Sequence, residues 1–297
     1  MNALLANPVA LTILPALAAG VLLGLLAWVS GGNRVTMAVG WGLGVLFIYW
    51  LLEGVPPFPP VAAKQKLGYL LAVGSVVGLV FSFINVPRWV FFFKSIAMAL
   101  LALGWLGWAK FGDADNVWTV VLAVLVTMLI GRGSLYQLPL AVEAADASHE
   151  HPFIAPAALM TTAIAGAIVA TTGLFLGMGQ ILGALAALLG GALAVGYLAL
   201  LIRGHGVLLM PKGSVPVVAY AVLCGAVLTA LLGPSVNAPA LLILATGPIL
   251  TALLAPRIAA AMPNIPLLRP ILAGAVIAIP AIIASLIAVL TGTSPFA

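Results

Sequence analysis

Charge is what this sequence has least of. Its 297 residues include 11 Lys and Arg and 6 Asp and Glu, so 6% are charged. A soluble domain carries roughly 25% charged residues. A water-facing surface for a chain of this length cannot be made from so few charges. With 64% hydrophobic residues and a mean hydropathy of +1.30, most of its surface must face lipid. The basic residues exceed the acidic ones, for a net charge of +5, but they stand singly between apolar runs. No basic patch or stripe forms, which excludes nucleic acid as a partner and leaves control of membrane topology as their role.

Cysteine is nearly absent. Cys224 stands alone, so no intramolecular disulfide is possible, and its apolar surroundings make it a small buried hydrophobe. There is no Walker A sequence, so the chain has no ATP-hydrolysing part of its own. There is no Gly-x-Ser-x-Gly nucleophile elbow. No apolar run carries paired carboxylates, which weakens a proton-pump or antiporter reading, and none carries paired histidines for haem. No cofactor is called for. The opening segment MNALLANPVALTILPALAAG lacks a basic n-region and reads as a retained first span.

What is present is a succession of long apolar runs. A hydrocarbon core about 30 Å thick needs about 20 apolar residues in a helix. On that rule the chain is an all-α, polytopic membrane bundle, a single transmembrane domain of ten spans: 9–29, 35–53, 67–84, 89–109, 117–131, 153–175, 179–202, 214–233, 238–255 and 268–290. The fifth is short and has room to continue past Arg132. The stretch 234–270 holds Pro248, Pro256, Pro263, Pro266 and Pro270, which predict broken helices or a re-entrant piece there. Ten spans divide as five plus five, which permits inverted halves, although no matching residues between the halves show them.

The basic residues set the orientation. Arg34, Arg88, Arg132, Arg203, Lys212, Arg257 and Arg269 fall on one side, against Lys64, Lys66 and Lys110 on the other. The richer side is the inner one, so both termini are expected on the periplasmic side of a bacterial inner membrane. Small-xxx-small pairs (Gly20 and Gly24, Gly40 and Gly44, Gly74 and Gly78, Gly179 and Gly183) predict close helix packing. Trp28, Trp50, Trp89, Trp108 and Trp118 fall near span ends, where an indole keeps its N–H among the headgroups.

Few residues are candidates for chemistry. Lys94, in WVFFFKSIAMALL, is the clearest anomaly. An ammonium at the centre of a membrane helix costs about 2.5–3.5 kcal/mol on insertion scales. Either it snorkels to the near interface on its four-carbon stem, or it is an ion partner, a proton-relay member or a substrate-anion contact inside the bundle. Glu53 ends the second span beside Tyr49 and Trp50. It is a solvated interfacial carboxylate, or it gates a pathway or pairs with Lys64 or Lys66. Thr161, Thr162 and Gln180 offer polar groups to a solute path, although such hydroxyls more often bond back to a carbonyl one turn earlier. His149 and His151, with Asp146 and Glu150, are residue types that suit zinc, but their spacing does not match a helical zinc motif. A polar loop leading into the sixth span is the simpler reading there. The segment LYQLPLAVEAADA has apolar spacing that suits an interfacial helix. Finally, Pro56, Pro57, Phe58, Pro59 and Pro60 predict a stiff, polyproline-like exterior cover.

Three functions fit these residues. The first is a secondary transporter or permease for a small neutral or anionic solute. The second is a non-catalytic membrane subunit or assembly factor within a larger complex. The third, a membrane-embedded lipid-processing enzyme, would have to use Glu53 and the 146–151 cluster, which the spans put on opposite sides. The partners expected are the lipid bilayer and, for the second reading, other membrane subunits.

Overall fold

A computed structural model describes residues 8–84, 86–112, 114–146, 153–204, 206–261, 265 and 268–292. They form a polytopic helical bundle. The first four spans are α1 (Pro8–Ser30), α2 (Arg34–Glu53), α3 (Ala63–Phe83) and α4 (Arg88–Gly107). The fifth is α5 (Val117–Ile130), which runs through a π-helical segment (Gly131–Gln137) into α6 (Leu138–Asp146). The remaining spans are α7 (Ile154–Thr172), α8 (Leu176–Arg203), α9 (Val215–Leu232), α10 (Ala238–Ala261) and α11 (Leu268–Thr291).

Short, locally specified turns keep successive helices antiparallel. Gly31 and Gly32 take positive φ, and Asn33 Oδ1 then accepts from the backbone N–H groups of Val35 and Thr36. That N-cap satisfies two of the donors a helix start leaves orphaned. At the start of α3, Gln65 Oε1 does the same for the N–H groups of Val61 and Ala62.

One helix occupies the centre. In α9 every residue from Val215 to Leu231 is buried. Around it α2, α3, α4, α5, α10, α7 and α8 form a closed ring, each packed on the next. α1 lies outside the ring against α8 and α2, and α11 lies outside it against α7 and α10. The packing does not express a five-plus-five relation. The counterpart of central α9 would be α3, and α3 stands in the ring.

Small residues set the closest approaches, as their spacing predicts. A Cβ on Gly20 of α1 would collide with the Leu188 carbonyl oxygen, and one on Gly191 of α8 would collide with the Leu17 carbonyl oxygen. The two backbones touch, which is how membrane helices gain packing energy where lipid supplies no hydrophobic drive between them. Gly74 and Gly78 of α3 likewise receive Tyr220 and Val217 of α9.

Two expectations are corrected. The prolines do not break the ninth span, since α10 is helical from Ala238 through Ala261 with Pro248 inside it. Neighbouring elements crowd this point, with Gly133 of the π segment against Pro248 and Ile249, and a bundle interior tolerates a proline in this way. The segment around 135–146 is not a separate interfacial helix. It is continuous with the fifth span through the π segment.

Candidate functional site

Alternation of the helices sorts the polar residues to two ends. Arg34, Arg88, Arg132, Arg203, Lys212, Arg257 and Arg269 fall at one, called here the basic end. Glu53, the proline loop, Lys64, Lys66 and Lys110 fall at the other, the proline end. Contacts across each end agree with this. At the basic end Gly32 lies against Leu208, Gly213 against Ser82, and Lys212 against Glu143. At the proline end Ser235 N–H donates to Gly173 O, and Gly177 lies against Lys64.

Lys94 sits on α4 six residues in from Arg88, about 9 Å at 1.5 Å per residue. It does not snorkel, because its Nζ is buried and has no hydrogen-bond partner among the described residues. The stem reaches back one turn toward the basic end, as helical side chains do, and stops on an aromatic step. Nζ lies 3.6 Å from the ring centroid of Phe91 and 5.0 Å from that of Phe81. The two rings meet edge to face at 5.6 Å. A second ammonium, Lys212 Nζ, lies 5.3 Å from the Phe91 centroid. It is paired with Glu143 Oε2 at 2.7 Å, near the end of the fifth span. Cation–π contact returns about 0.5–2 kcal/mol. Burying an ion costs several kcal/mol, so the aromatic step alone leaves Lys94 under-compensated. An anionic group is the chemistry that would complete it.

The surroundings are held firmly. Trp41 Nε1 donates to Leu209 O at 2.9 Å inside the core, tying the segment before Lys212 to α2. Ser95 Oγ, next to Lys94 in sequence, donates to Phe91 O and Leu135 O, both at 2.8 Å, and so joins α4 to the π segment. Three further buried polar atoms at this end, Ser30 Oγ, Gln137 Oε1 and Ser214 Oγ, have no hydrogen-bond partner among the described residues. π-helical turns recur at functional sites, and this one carries Arg132 and Gln137.

The other sequence candidates are placed differently. Glu53 pairs with Lys64 at 2.8 Å at the exposed proline end. Lys66 turns away and donates to Trp105 O at 3.1 Å. Thr161 and Thr162 both donate to Ala158 O, and Gln180 is exposed on α8, so the three do not converge on a shared interior path. In the proline loop, Tyr69 donates to Pro57 O at 3.1 Å and Pro56 O at 3.3 Å. Phe58 stays exposed, with its ring 6.4 Å from that of Tyr69. His149 and His151 lie outside the described residues, and among the described residues no group of three or more metal-ligating side chains comes together.

Sequence reasoning missed Lys212, Glu143 and the Phe81–Phe91 step as neighbours of Lys94. Lys212 counted only as an orientation vote. The signal within reach was Glu143, a carboxylate one turn before Asp146 in a short helix that is otherwise apolar. No family model matches the chain, and neither a curated protein nor a solved structure does.

Proposed function

We propose that this multi-pass membrane protein is a permease for a small anionic solute, with Lys94 as the group that receives the anion. One observation carries the reading: a buried ammonium with no described hydrogen-bond partner, beside a second ammonium that is already paired. Intramembrane ionisable groups are expensive and mark solute or ion pathways. Glu143 is exposed at its end of the Lys212 pair and is the charge an entering anion would displace. The path runs between α4, the π segment and the start of α9, where Lys94 and the Ser214 hydroxyl offer donors to an anion. The excess of Arg and Lys at the basic end supports placing that end on the inner side of a bacterial inner membrane, with both termini periplasmic. A Lys64→Cys variant should then react with an impermeant thiol reagent in intact cells, with low background because Cys224 is buried.

The test is uptake of small anions (chloride, phosphate, acetate, citrate) by purified protein in liposomes. Uptake of one of them, lost in Lys94→Ala and partly kept in Lys94→Arg, supports the permease. A second reading, a non-catalytic subunit of a larger membrane complex, is favoured by the filled centre, where α9 leaves no axial path. It gains if no anion moves and the protein instead co-purifies with other membrane chains in fixed stoichiometry. The lipid-processing reading has less support, since Glu53 is paired with Lys64 at the end opposite Glu143 and Lys212.

A further inference from the structure

A cleft of about 340 Å³ opens on the outer face of the ring between α4, α5 and the π segment. Its walls are apolar: Ile96, Leu100 and Leu103 on α4, and Val124 and Met128 on α5. Leu100 and Met128 are largely exposed, so the cleft faces the lipid rather than the bundle. Two hydroxyls line it, and both are already engaged. Ser95 donates to Phe91 O and Leu135 O, and Thr127 donates to Ala123 O. A polar solute would find no free hydroxyl there.

The two ends of the cleft differ. Toward the basic end it is bounded by Arg132, Tyr136 and Phe92, whose rings at 92 and 136 meet edge to face at 5.3 Å. Arg132 is exposed and makes no ion pair or hydrogen bond among the described residues. It sits in the π segment, between Gly131 and Gly133, which pack against α4 and α10. From Phe92 to Leu103 the cleft follows eleven residue-to-residue steps of α4, about 16 Å at 1.5 Å per step. That is about half of a hydrocarbon core roughly 30 Å thick, the depth of one leaflet.

We infer that this cleft binds an anionic phospholipid of the leaflet at the basic end, one acyl chain lying along Ile96–Leu103 and Val124–Met128 with its phosphate on Arg132. Three features select that occupant. The apolar length matches one chain of one leaflet. The mouth carries a cation, and a guanidinium suits a phosphate because two parallel N–H donors meet two oxygens. The interior has no free polar group that a headgroup or a soluble ligand would need. A zwitterionic lipid offers the same chain, but its ammonium offsets the attraction at the mouth.

The inference does not depend on anion transport, and its test reads binding alone. The full chain is reconstituted in nanodiscs of phosphatidylcholine with or without phosphatidylglycerol whose acyl chain carries a photoactivatable diazirine. After irradiation, the labelled peptides are mapped by mass spectrometry. Label should concentrate in 96–103 and 124–128 and be competed by unlabelled phosphatidylglycerol more effectively than by phosphatidylcholine. Arg132→Gln should reduce that competition about tenfold, the scale of one charge-assisted contact. Leu100→Trp, which fills the cleft from an exposed position, should remove the label and leave Arg132 in place. Label spread evenly over the lipid-facing helices, or equal competition by the two lipids, overturns the inference. So does an unchanged pattern in Arg132→Gln. The wild-type pattern alone decides the matter if either variant fails to fold.

Discussion

The two ends of the bundle draw on the same few polar residue types and reach opposite results. At the proline end Lys64 meets Glu53, Lys66 meets the Trp105 carbonyl, Tyr69 meets two proline carbonyls, and Gln65 caps its own helix. At the basic end Ser30 Oγ, Lys94 Nζ, Gln137 Oε1 and Ser214 Oγ are buried with no hydrogen-bond partner among the described residues. Buried polar groups are nearly always satisfied. Four such groups at one end, and a fully bonded set at the other, locate where this fold gives up stability. Proteins tolerate that loss where a ligand or a moving part uses it. On the proposed permease reading, the proline end is the structural end and the basic end the working one.

The largest expected effect breaks the comparison in function. Lys94→Ala should lower anion uptake in liposomes about a hundredfold, equivalent to ~2.7 kcal/mol and to one charged contact. Lys64→Ala, made at the other end, should leave uptake within about threefold. Equal losses from the two would show that both ends serve transport, or that uptake merely follows stability.

A pair of hydroxyl and indole deletions compares how deeply each end is anchored. Trp41→Phe removes the donor to the buried Leu209 carbonyl and leaves that oxygen unsatisfied, at a cost of about 1–3 kcal/mol. Tyr69→Phe removes a donor to the carbonyls of an exposed loop, which water can replace, so about 0.5 kcal/mol or less is expected. Chemical unfolding in detergent micelles reads both. A larger loss at Tyr69 would make the proline loop, and not the 206–214 segment, the principal clamp.

Lys94→Met separates stability from function. Removing an under-compensated buried ammonium should stabilise the protein by about 1–2 kcal/mol, after the loss of its cation–π contacts, while uptake falls. Lys64→Met, which strands Glu53 in a wet place, should change stability by less than about 1 kcal/mol in the other direction. A destabilised Lys94→Met would mean that Lys94 already has its counter-charge.

Much of the fold was legible. The ten apolar runs match nine helices long and apolar enough to cross a membrane among the described residues and a tenth with a shorter apolar stretch (Ala238–Leu254), and the Gly20–Gly24 and Gly74–Gly78 spacings marked two real helix contacts. The position of each helix was not legible. Central α9 and outermost α11 have nearly the same composition, because lipid tails and a protein core are equally apolar. Amphipathicity, which sorts inside from outside in water, carries no signal here. Lys94 was legible as an anomaly from its cost alone. Its setting was not, because Phe81, Lys212 and Glu143 come from three other elements. Snorkelling failed as an expectation for a local reason: the stem meets Phe91 one turn earlier and rests on it.

The smallest effects test whether the charges at each end act in isolation. The Glu53–Lys64 and Glu143–Lys212 pairs are both partly exposed, so double-mutant cycles should give about 0.2–1 kcal/mol for each, reduced at high salt. The difference lies in the third charge. Lys94 and Lys212 both lie over the Phe91 ring, so Glu143 is one ion pair removed from Lys94, whereas Glu53 lies at the opposite end of the bundle. A cycle of Glu143→Gln with Lys94→Met should therefore show coupling of a few tenths of a kcal/mol, and a cycle of Glu53→Gln with Lys94→Met should show none. Coupling at both would mean that the ends communicate through the packed helices between them. Coupling at neither would make the Lys212–Glu143 pair a bystander and leave Lys94 to receive its anion alone.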